Sequence, residues 1–433
     1  MENAVKWQRI RFMPCTPLGK DGKFVTSCKE HIDLSRRAAA EGMVLLKNDG
    51  ALPFKKGERI AIFGKAQIDY VKGGGGSGDV TVSYIRNIYE GLKIKEKEKK
   101  VHIFDELSEF YRIETEKQFN EGIKPGKTVE PELPDYLLKK AKDACDTALI
   151  TICRYSGEGY DRTGEKYDGD FYLSKEEEAM VKKVLSAEFK KVVVVLNTGG
   201  MMDTVWFKDN PSVNSVLLGW QGGMEGGLAT ADILCGDVNP SGKLTDTFAR
   251  SFDDYPSSET FNESDDYVCY TEDIYVGYRY FETIPGAAEK VCYPFGYGLS
   301  YTKFKLTDIN AGCPDGKNIT VDVTVHNVGK MAGKEVVQVY YSAPQGKLGK
   351  PSRALAAFAK TKLLKPGEFE KLTLNFKVND MASYDDEGLI QKSAYILEKG
   401  VYQIYVGTSV RDVVKAPYEY FVESDVITQQ LTE

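Results

Sequence analysis

The chain has 433 residues, enough for two or three domains that each bury a core. Its 64 acidic and 57 basic residues give a net charge of −7, which argues against nucleic acid as a partner because nothing concentrates positive charge for phosphates. Only three histidines occur, His31, His102 and His326. We therefore expect neither a metal site nor a Ser/His/Asp triad and no cofactor, and carboxylates are the material left for acid–base chemistry.

The cysteines and the apolar runs indicate in which cellular compartment the protein is expected. Eight cysteines are scattered without Cys-x-x-Cys spacing, a pattern typical of buried thiols in a reducing environment. The first residues lack the apolar run of a signal peptide, and the longest apolar block, residues 192–196, is too short to cross a bilayer. We expect a cytoplasmic protein with no membrane partner; the oligomeric state stays open, a homo-oligomer included.

Strand and helix patterns alternate between about residues 59 and 235. The strand candidates are residues 59–63, 101–104, 147–153, 192–196 and 213–218. Capping boxes predict helices that begin at Ser27, with Glu30 three residues later, and at Ser174, with Glu177. This alternation predicts an α/β fold whose mostly parallel sheet is covered on both faces, with sites at the carboxyl ends of its strands.

The pattern changes near residue 300 to alternating apolar and polar residues. The strand candidates there are residues 319–328, 335–342, 371–378 and 401–406. They predict an antiparallel, fibronectin-III-like β-sandwich, because every tryptophan lies at or before Trp220 and the antibody-type signature is missing. The predicted division is an arm over 1–27, the α/β domain over 28–300, the sandwich over 301–421 and a polar tail or linker over 422–433.

Residues 73–78, Gly-Gly-Gly-Gly-Ser-Gly, formally contain Gly-x-Gly-x-x-Gly. A dinucleotide site needs that turn directly between a strand and a helix, but nine residues separate Phe63 from the first glycine, and no lysine of a phosphate-binding loop follows. Two interpretations remain: a flexible surface loop, or a loop whose small residues let a ligand approach the backbone, with the Ser77 hydroxyl beside it.

Glu158 lies between two glycines just beyond the strand candidate 147–153. Its carboxyl group is either a catalytic acid presented without bulky neighbours or an ordinary solvated side chain. Four more acidic residues crowd the same loop, Asp161, Glu165, Asp168 and Asp170. They either raise the pKa of Glu158 by repulsion, as a general acid needs, or form a plain acidic loop.

Three further segments have a favoured structural interpretation. Residues 222–227, rich in glycine, favour tight packing of a helix on the sheet. Residues 275–281 and 293–301 are rich in aromatic side chains. These could stack on sugar rings, but packing at a domain junction is the favoured interpretation.

Taken together and in this order, the motifs resemble glycoside hydrolase family 3. The resemblance is carried by residues 36–48, 73–78, 156–162, 220–227, 236–244, 275–281, 293–301 and 327–335. It implies a retaining, exo-acting β-glucosidase in which a six-stranded α/β sandwich supplies the general acid/base, here Glu158. It also implies that Ser77 and Gly76 contact the substrate, a β-linked glucoside or oligosaccharide, and that the fibronectin-like domain is a support.

The chain departs from the family in its second carboxylate. A retaining enzyme needs a nucleophile about 5–5.5 Å from the acid/base, and in this family it is an aspartate that precedes a tryptophan on a (β/α)₈ barrel. Here the tryptophans follow Lys6, Val205 and Gly219, and no barrel-sized segment remains. The chain thus resembles a permuted member without its barrel, and we expect no nucleophile in it, no activity by itself, and a barrel in a longer form or a second chain. The alternative is a non-catalytic carbohydrate-binding or scaffold protein derived from such an enzyme.

Overall fold

Six strands form one sheet in the first part of the chain, in a computed structural model that describes residues 28–159, 162–167, 170–261 and 263–432. The strands are β1 Val44–Asn48, β2 Glu58–Phe63, β3 Val101–Ile103, β4 Thr147–Cys153, β5 Lys191–Asn197 and β6 Ser215–Leu218. Their order is β1-β6-β5-β4-β2-β3, and every neighbouring pair is parallel except β1 with β6. The predicted mostly parallel six-stranded sheet is confirmed.

Strand β1 is the member of this sheet that the strand prediction missed. It has five residues and comes directly after a helix, so its sequence shows no period of its own. Its place is set by antiparallel pairing with β6, about 170 residues later in the chain. By contrast, every residue of β4 is buried, which is why its continuous apolar run was readable as a strand covered on both faces.

Helices cover both faces of the sheet. They are α1 Lys29–Gly42, α2 Ile88–Lys97, α3 Asp105–Asn120, α4 Asp135–Ala144, α5 Lys175–Ser186, α6 Val205–Lys208, α7 Gly226–Leu234 and α8 Tyr278–Phe281. Successive residues of a strand enter different cores: Ile150 packs with side chains of α3, α4 and α5, whereas Leu149 packs with those of α1, α2 and α7. The sheet is therefore the middle layer of three.

The two predicted capping boxes have different outcomes. The Ser174 hydroxyl accepts the Glu177 N–H, and the Glu177 carboxylate accepts the Ser174 N–H, so the capping box at the start of α5 is confirmed. Helix α1 begins at Lys29 with Cys28 at its N-cap and no side-chain capping bond. The predicted cap, Ser27, lies outside the described residues.

The glycines of 222–227 pack tightly, but not against the sheet. An added methyl group at Gly226 would overlap the Tyr70 hydroxyl, and one at Gly227 would overlap the carbonyl of Asn87 at the start of α2. The predicted close packing is confirmed: the glycines meet Tyr70 and the start of α2, while the apolar side chains of α7 pack with those of the sheet.

Two short antiparallel strands, β7 Phe248–Ala249 and β8 Val291–Tyr293, pair with each other before the second domain begins. The second domain is an antiparallel sandwich. Its strands are β9 Phe304–Gly312, β10 Asn318–Asn327, β11 Val336–Ser342, β12 Ala354–Lys360, β13 Phe369–Lys377, β16 Gly400–Gly407 and β17 Val413–Val422. One sheet has the order β13-β10-β9 and the other β12-β11-β16-β17, with one apolar core between them. The predicted fibronectin-like sandwich is confirmed; β9, β12 and β17 were missed because their burial does not alternate cleanly.

The end of the chain contributes a strand to a third, small sheet, although the sequence predicted a polar tail there. Strands β14 Ser383–Asp385, β15 Ala394–Leu397 and β18 Val426–Gln430 pair in the order β14-β15-β18. The expectation of a polar tail or linker over 422–433 is wrong for β18. This strand has no buried residue, so it is held by backbone pairing that leaves no apolar pattern in the sequence.

The aromatic segments lie at the junction of the two domains. The Tyr278 ring stacks on Phe295 with the ring centroids 4.5 Å apart, and its hydroxyl accepts the Leu355 N–H at 2.9 Å. Gln338 Nε2 donates to the Gly296 carbonyl at 3.1 Å. Packing at a domain junction, the favoured interpretation of these segments, is confirmed.

Two expectations from composition also have outcomes. Cys145, Cys153 and Cys292 are buried, but Cys269 is exposed, so the expectation of buried thiols is wrong for Cys269. Over the described ranges, no helix combines the length and the apolar character that a membrane span requires.

Candidate active site

Two strand-end loops meet at one edge of the sheet. The glycine–serine loop, residues 73–78, lies beyond β2, and the glutamate loop, residues 154–159, follows β4. Since β2 and β4 are parallel neighbours, their carboxyl ends open at the same edge. Gly75 and Gly157 form a parallel bridge there, and the Gly75 N–H donates to the Ser156 carbonyl at 2.9 Å.

Glycine is required where the two loops touch. A Cβ at Gly157 would lie 2.5 Å from the Gly75 Cα, and one at Gly75 would overlap the Tyr155 hydroxyl. Gly76 has φ +72°, and a Cβ there would overlap the Cβ of Glu158. The glycines therefore permit approach of a second stretch of backbone, a reason that neither remaining sequence-based interpretation included.

The contact brings Ser77 onto Glu158. The Ser77 N–H and hydroxyl both donate to Glu158 Oε2, at 3.0 and 2.7 Å. Within the described parts of the chain, Oε1 has no hydrogen-bond partner, and the side chain is exposed. The three residues singled out from the sequence, Gly76, Ser77 and Glu158, are thus adjacent, with one carboxylate oxygen held and the other open to solvent.

The pKa of Glu158 is lowered, not raised. The cause is the Ser77 side-chain hydrogen bond and then the Ser77 backbone bond, both of which favour the charged carboxylate. Of the two interpretations of the acidic loop, the lowered pKa favours the plain acidic loop over one that raises the pKa of Glu158. Asp170 is instead paired with Arg162, with Nε and Oδ1 2.9 Å apart, while Asp161 and Asp168 lie outside the described residues.

Arg154, which the sequence analysis missed, holds the base of the glutamate loop through its side-chain hydrogen bonds. Its guanidinium is buried and donates to both carboxylate oxygens of Glu177, at 2.7 and 2.8 Å. It also donates to the carbonyls of Asp170 and Tyr172, so it fixes the segment that returns from the loop to α5. The readable signal was an arginine placed directly after a buried strand.

A hollow opens next to the glutamate loop. Its volume is about 530 Å³, and it begins at Ser156 and Gly157, the two residues before Glu158. Its walls include the aromatic side chains of Phe171, Phe252, Tyr255 and Phe261. The two residues before Glu158 therefore line a space large enough for a sugar-sized ligand.

An apolar surface continues from that hollow. Phe261 is a wall of the hollow, and beyond it Tyr267, Val268, Tyr270 and Val276 are exposed. Tyr270 is 91% exposed. We refer to these five residues as the apolar ridge; apolar side chains clustered on a surface are typical of an interaction site.

The site as described suits proton transfer by a carboxylate. Across the residues that the structure describes, no group of three or more His, Cys, Asp or Glu side chains is arranged to hold a metal ion. Glu158 can accept a proton at Oε1 while Oε2 stays fixed by Ser77. That is the requirement for a general acid/base whose orientation must not change between the two steps.

Comparison with known families matches both domains. Residues 43–301 match the Glycosyl hydrolase family 3 C-terminal domain, and residues 335–410 match a Fibronectin type III-like domain. Among characterised relatives, Beta-glucosidase A of Butyrivibrio fibrisolvens is 53% identical over 99% of this chain, and a Beta-glucosidase of Ruminococcus albus is 40% identical over 93%. The chain covers 55% and 42% of their lengths, respectively, so it spans about half of these relatives.

Solved structures give the same result. A β-glucosidase from Paenibacillus barengoltzii superposes with a TM-score of 0.87 at 41% identity, over 94% of this chain and 45% of that one. β-Glucosidase 3B from Thermotoga neapolitana, in complex with α-D-glucose, superposes with a TM-score of 0.82 at 40% identity, over 92% of this chain and 55% of that one. The family suggested by the sequence motifs is confirmed: the chain belongs to glycoside hydrolase family 3.

Proposed function

We propose that this chain supplies the general acid/base of a retaining β-glucosidase and that Glu158 is that residue. The observation that carries the proposal is the geometry of its carboxyl group, which is exposed, fixed at Oε2 by Ser77 and open at Oε1. The relatives named β-glucosidases support the reaction class.

In the proposed reaction, Glu158 acts twice. It first donates its proton to the glycosidic oxygen while a second carboxylate attacks the anomeric carbon, which releases the aglycone and forms a covalent glycosyl-enzyme. It then takes a proton from water, whose oxygen attacks the anomeric carbon and releases glucose. The second carboxylate belongs to a (β/α)₈ barrel outside these 433 residues, on a longer form of the chain or on a separate one.

The protonation state of Glu158 must differ between the free chain and the assembled enzyme. The lowered pKa makes Glu158 a carboxylate at neutral pH, which is the form that activates water. The first step needs the protonated form. A substrate and a barrel that cover Oε1 would remove water from the carboxyl group, and desolvation raises the pKa of an acid. The apolar ridge beside the site is a surface that such a barrel would bury.

The substrate we propose is a β-linked glucoside or oligosaccharide. Ser77 uses its hydroxyl hydrogen on Glu158, so its oxygen lone pairs are left to accept a hydrogen bond from a sugar hydroxyl. Gly76 has no side chain, so its backbone can come close to the sugar ring.

The test is Glu158→Ala in the form of the protein that includes the barrel. We expect kcat on glucosides with poor leaving groups to fall about 10²–10⁴-fold, with a much smaller loss on a dinitrophenyl β-glucoside, whose leaving group needs no proton. Added azide should restore turnover of the activated substrate and yield β-glucosyl azide, because a small anion fits where the carboxylate was.

Glu165→Ala is the matched control, since Glu165 is an exposed glutamate a few residues along the same segment. It should leave both kcat values and the azide response unchanged. Equal losses on both substrates without azide rescue would contradict the acid/base role. Rapid hydrolysis of an aryl β-glucoside by the 433-residue chain would contradict the placement of the nucleophile outside it. Sugar binding that survives Glu158→Ala, with no turnover in any form, would favour the non-catalytic alternative.

A further inference from the structure

Asn197, the last residue of β5, makes an unusually complete set of contacts at the edge of the sheet that carries the site. It is 1% exposed. Its Oδ1 accepts the Val71 N–H at 2.8 Å, and its Nδ2 donates to the Val71 carbonyl at 2.9 Å. The side-chain amide therefore pairs with both backbone groups of one residue, as a neighbouring strand would.

The same residue also contacts the loops that follow β4 and β6. Its second Nδ2 hydrogen goes to the Trp220 carbonyl at 2.7 Å, and its own carbonyl accepts the Arg154 N–H at 2.9 Å. Asn197 thus joins the loops that leave three strands of the sheet. Trp220 has φ +50°, a conformation that L residues adopt only when the surroundings hold it.

Two of those loops are the ones that meet at the candidate active site. Val71 lies two residues before the glycine–serine loop, and Arg154 is the first residue of the glutamate loop. Further along the chain from these residues, the two loops contact each other at the Gly75–Gly157 bridge and at the Ser77–Glu158 hydrogen bond. We infer that Asn197 is a positioning residue: it sets the distance between Ser77 and Glu158 by fixing the bases of both loops.

Position 197 requires the hydrogen-bond donors of asparagine as well as its size. Both Nδ2 hydrogens are used, and Oδ1 accepts one bond. Aspartate has the same shape but no donor, so its second oxygen would face the carbonyls of Val71 and Trp220. Alanine would leave both backbone groups of the buried Val71, and the Trp220 carbonyl, without these partners. Either change should loosen the base of the glycine–serine loop.

The effect of Asn197 on the position of Ser77 can be measured as a change in the pKa of Glu158, without any catalytic turnover. Ser77 lowers the pKa of Glu158 through two hydrogen bonds, so a glycine–serine loop that is no longer held in place should let that pKa rise. The effect on catalysis rests on the proposed function, but the placement of Ser77 against Glu158 does not. In the enzyme with its barrel, kcat on poor leaving groups should fall.

The experiment is ¹³C NMR titration of the glutamate side-chain carboxyls in the 433-residue chain, with the Glu158 signal assigned from Glu158→Gln. We expect Asn197→Ala and Asn197→Asp to raise the Glu158 pKa about as far as Ser77→Ala does. The matched control is Asn327→Ala, because Asn327 in β10 is also 1% exposed and also donates two Nδ2 bonds, to Met331 and Leu364. It should cost stability and leave the Glu158 pKa unchanged.

Unchanged titration of Glu158 in folded Asn197 variants would overturn the inference. So would failure of both variants to fold, since Asn197 would then be a determinant of stability rather than of position. Because the readout needs no barrel and no substrate, a raised Glu158 pKa would stand even if the proposed glucosidase activity were never found.

Discussion

Two serine–glutamate hydrogen bonds in the α/β domain have the same length, but the two glutamates differ in burial and in their other partners. At the start of α5, the Ser174 N–H donates to Glu177 Oε2 at 3.0 Å. At the strand-end edge, the Ser77 N–H donates to Glu158 Oε2, also at 3.0 Å. Glu177 is 4% exposed and has Arg154 on both carboxylate oxygens, whereas Glu158 is exposed and has one oxygen without a partner in the described chain.

The difference separates a structural carboxylate from one that can react. Burial opposes the charge of Glu177, but Arg154 outweighs it, and the pKa of Glu177 stays lowered. Both carboxylate oxygens of Glu177 accept hydrogen bonds from the protein. Glu158 keeps its orientation through one oxygen and leaves the other for a proton, so fixed geometry and unused bonding capacity occur in the same side chain.

The largest expected effect comes from Glu177→Gln. This change leaves the Arg154 guanidinium buried without its carboxylate, and removal of one partner from a buried ion pair costs about 3–5 kcal/mol. The measurement is the free energy of unfolding in urea. Glu176→Gln, one residue earlier and exposed, is the control and should be neutral. A loss below about 1 kcal/mol would mean that the Arg154 contact does not distinguish the two glutamates.

Glu130 extends the comparison to a buried glutamate that lacks an arginine. It is 3% exposed, and its Oε2 accepts the Lys65 N–H at 2.9 Å. Burial raises its pKa to about 8, a shift that the Lys65 N–H and ammonium only partly oppose. In the unfolded chain the pKa of a glutamate is near its ordinary value of about 4.3.

Between these two pKa values the folded chain binds one more proton than the unfolded chain. Stability should therefore fall as pH rises from about 5 to 8, by a few kcal/mol, and then level off. Urea unfolding at several pH values measures the slope, and Glu130→Gln should flatten it because the amide does not titrate. An equally steep slope in the variant would assign the pH dependence to other groups.

Gly76→Ala tests how much of the arrangement at Glu158 depends on loop contact. The new methyl group would meet the Cβ of Glu158, and φ +72° costs an L residue about 1–2 kcal/mol. We expect a loss of stability of that size and a rise in the Glu158 pKa as Ser77 moves away. Gly78→Ala is the control, because a Cβ at Gly78 meets nothing within 4 Å. Identical titration of Glu158 in both variants would show that Ser77 follows the glutamate rather than holds it.

The smallest expected effect is that of Glu158→Gln on stability. An exposed side chain with a single hydrogen-bonding neighbour should leave the urea midpoint unchanged, even though the same variant lacks the proposed acid/base. A loss comparable with that of Glu177→Gln would remove the distinction between the two carboxylates.

How much of the fold and of the candidate site could be predicted from the sequence depends on how far apart in the chain the contacting residues are. The capping box at Ser174 and the positions of Ser77 and Glu158 beyond β2 and β4 are local patterns, and they were predicted. The pairing of β1 with β6, the strand β18 and the buried Arg154–Glu177 pair join distant segments, and no local pattern encodes them. The direction of the Glu158 pKa stayed open for the same reason: its cause, Ser77, lies 81 residues away in the chain.

The domain junction has a further consequence for how the chain melts. Besides Tyr278 and Gln338, it holds an ion pair between Lys243 of the first domain and Glu335 of the second, 2.8 Å apart and largely buried. If either domain melted first, it would uncover these groups and leave one charge of the pair without its partner. Heating should therefore give a single cooperative transition in calorimetry, and the two domains should behave as one thermodynamic unit.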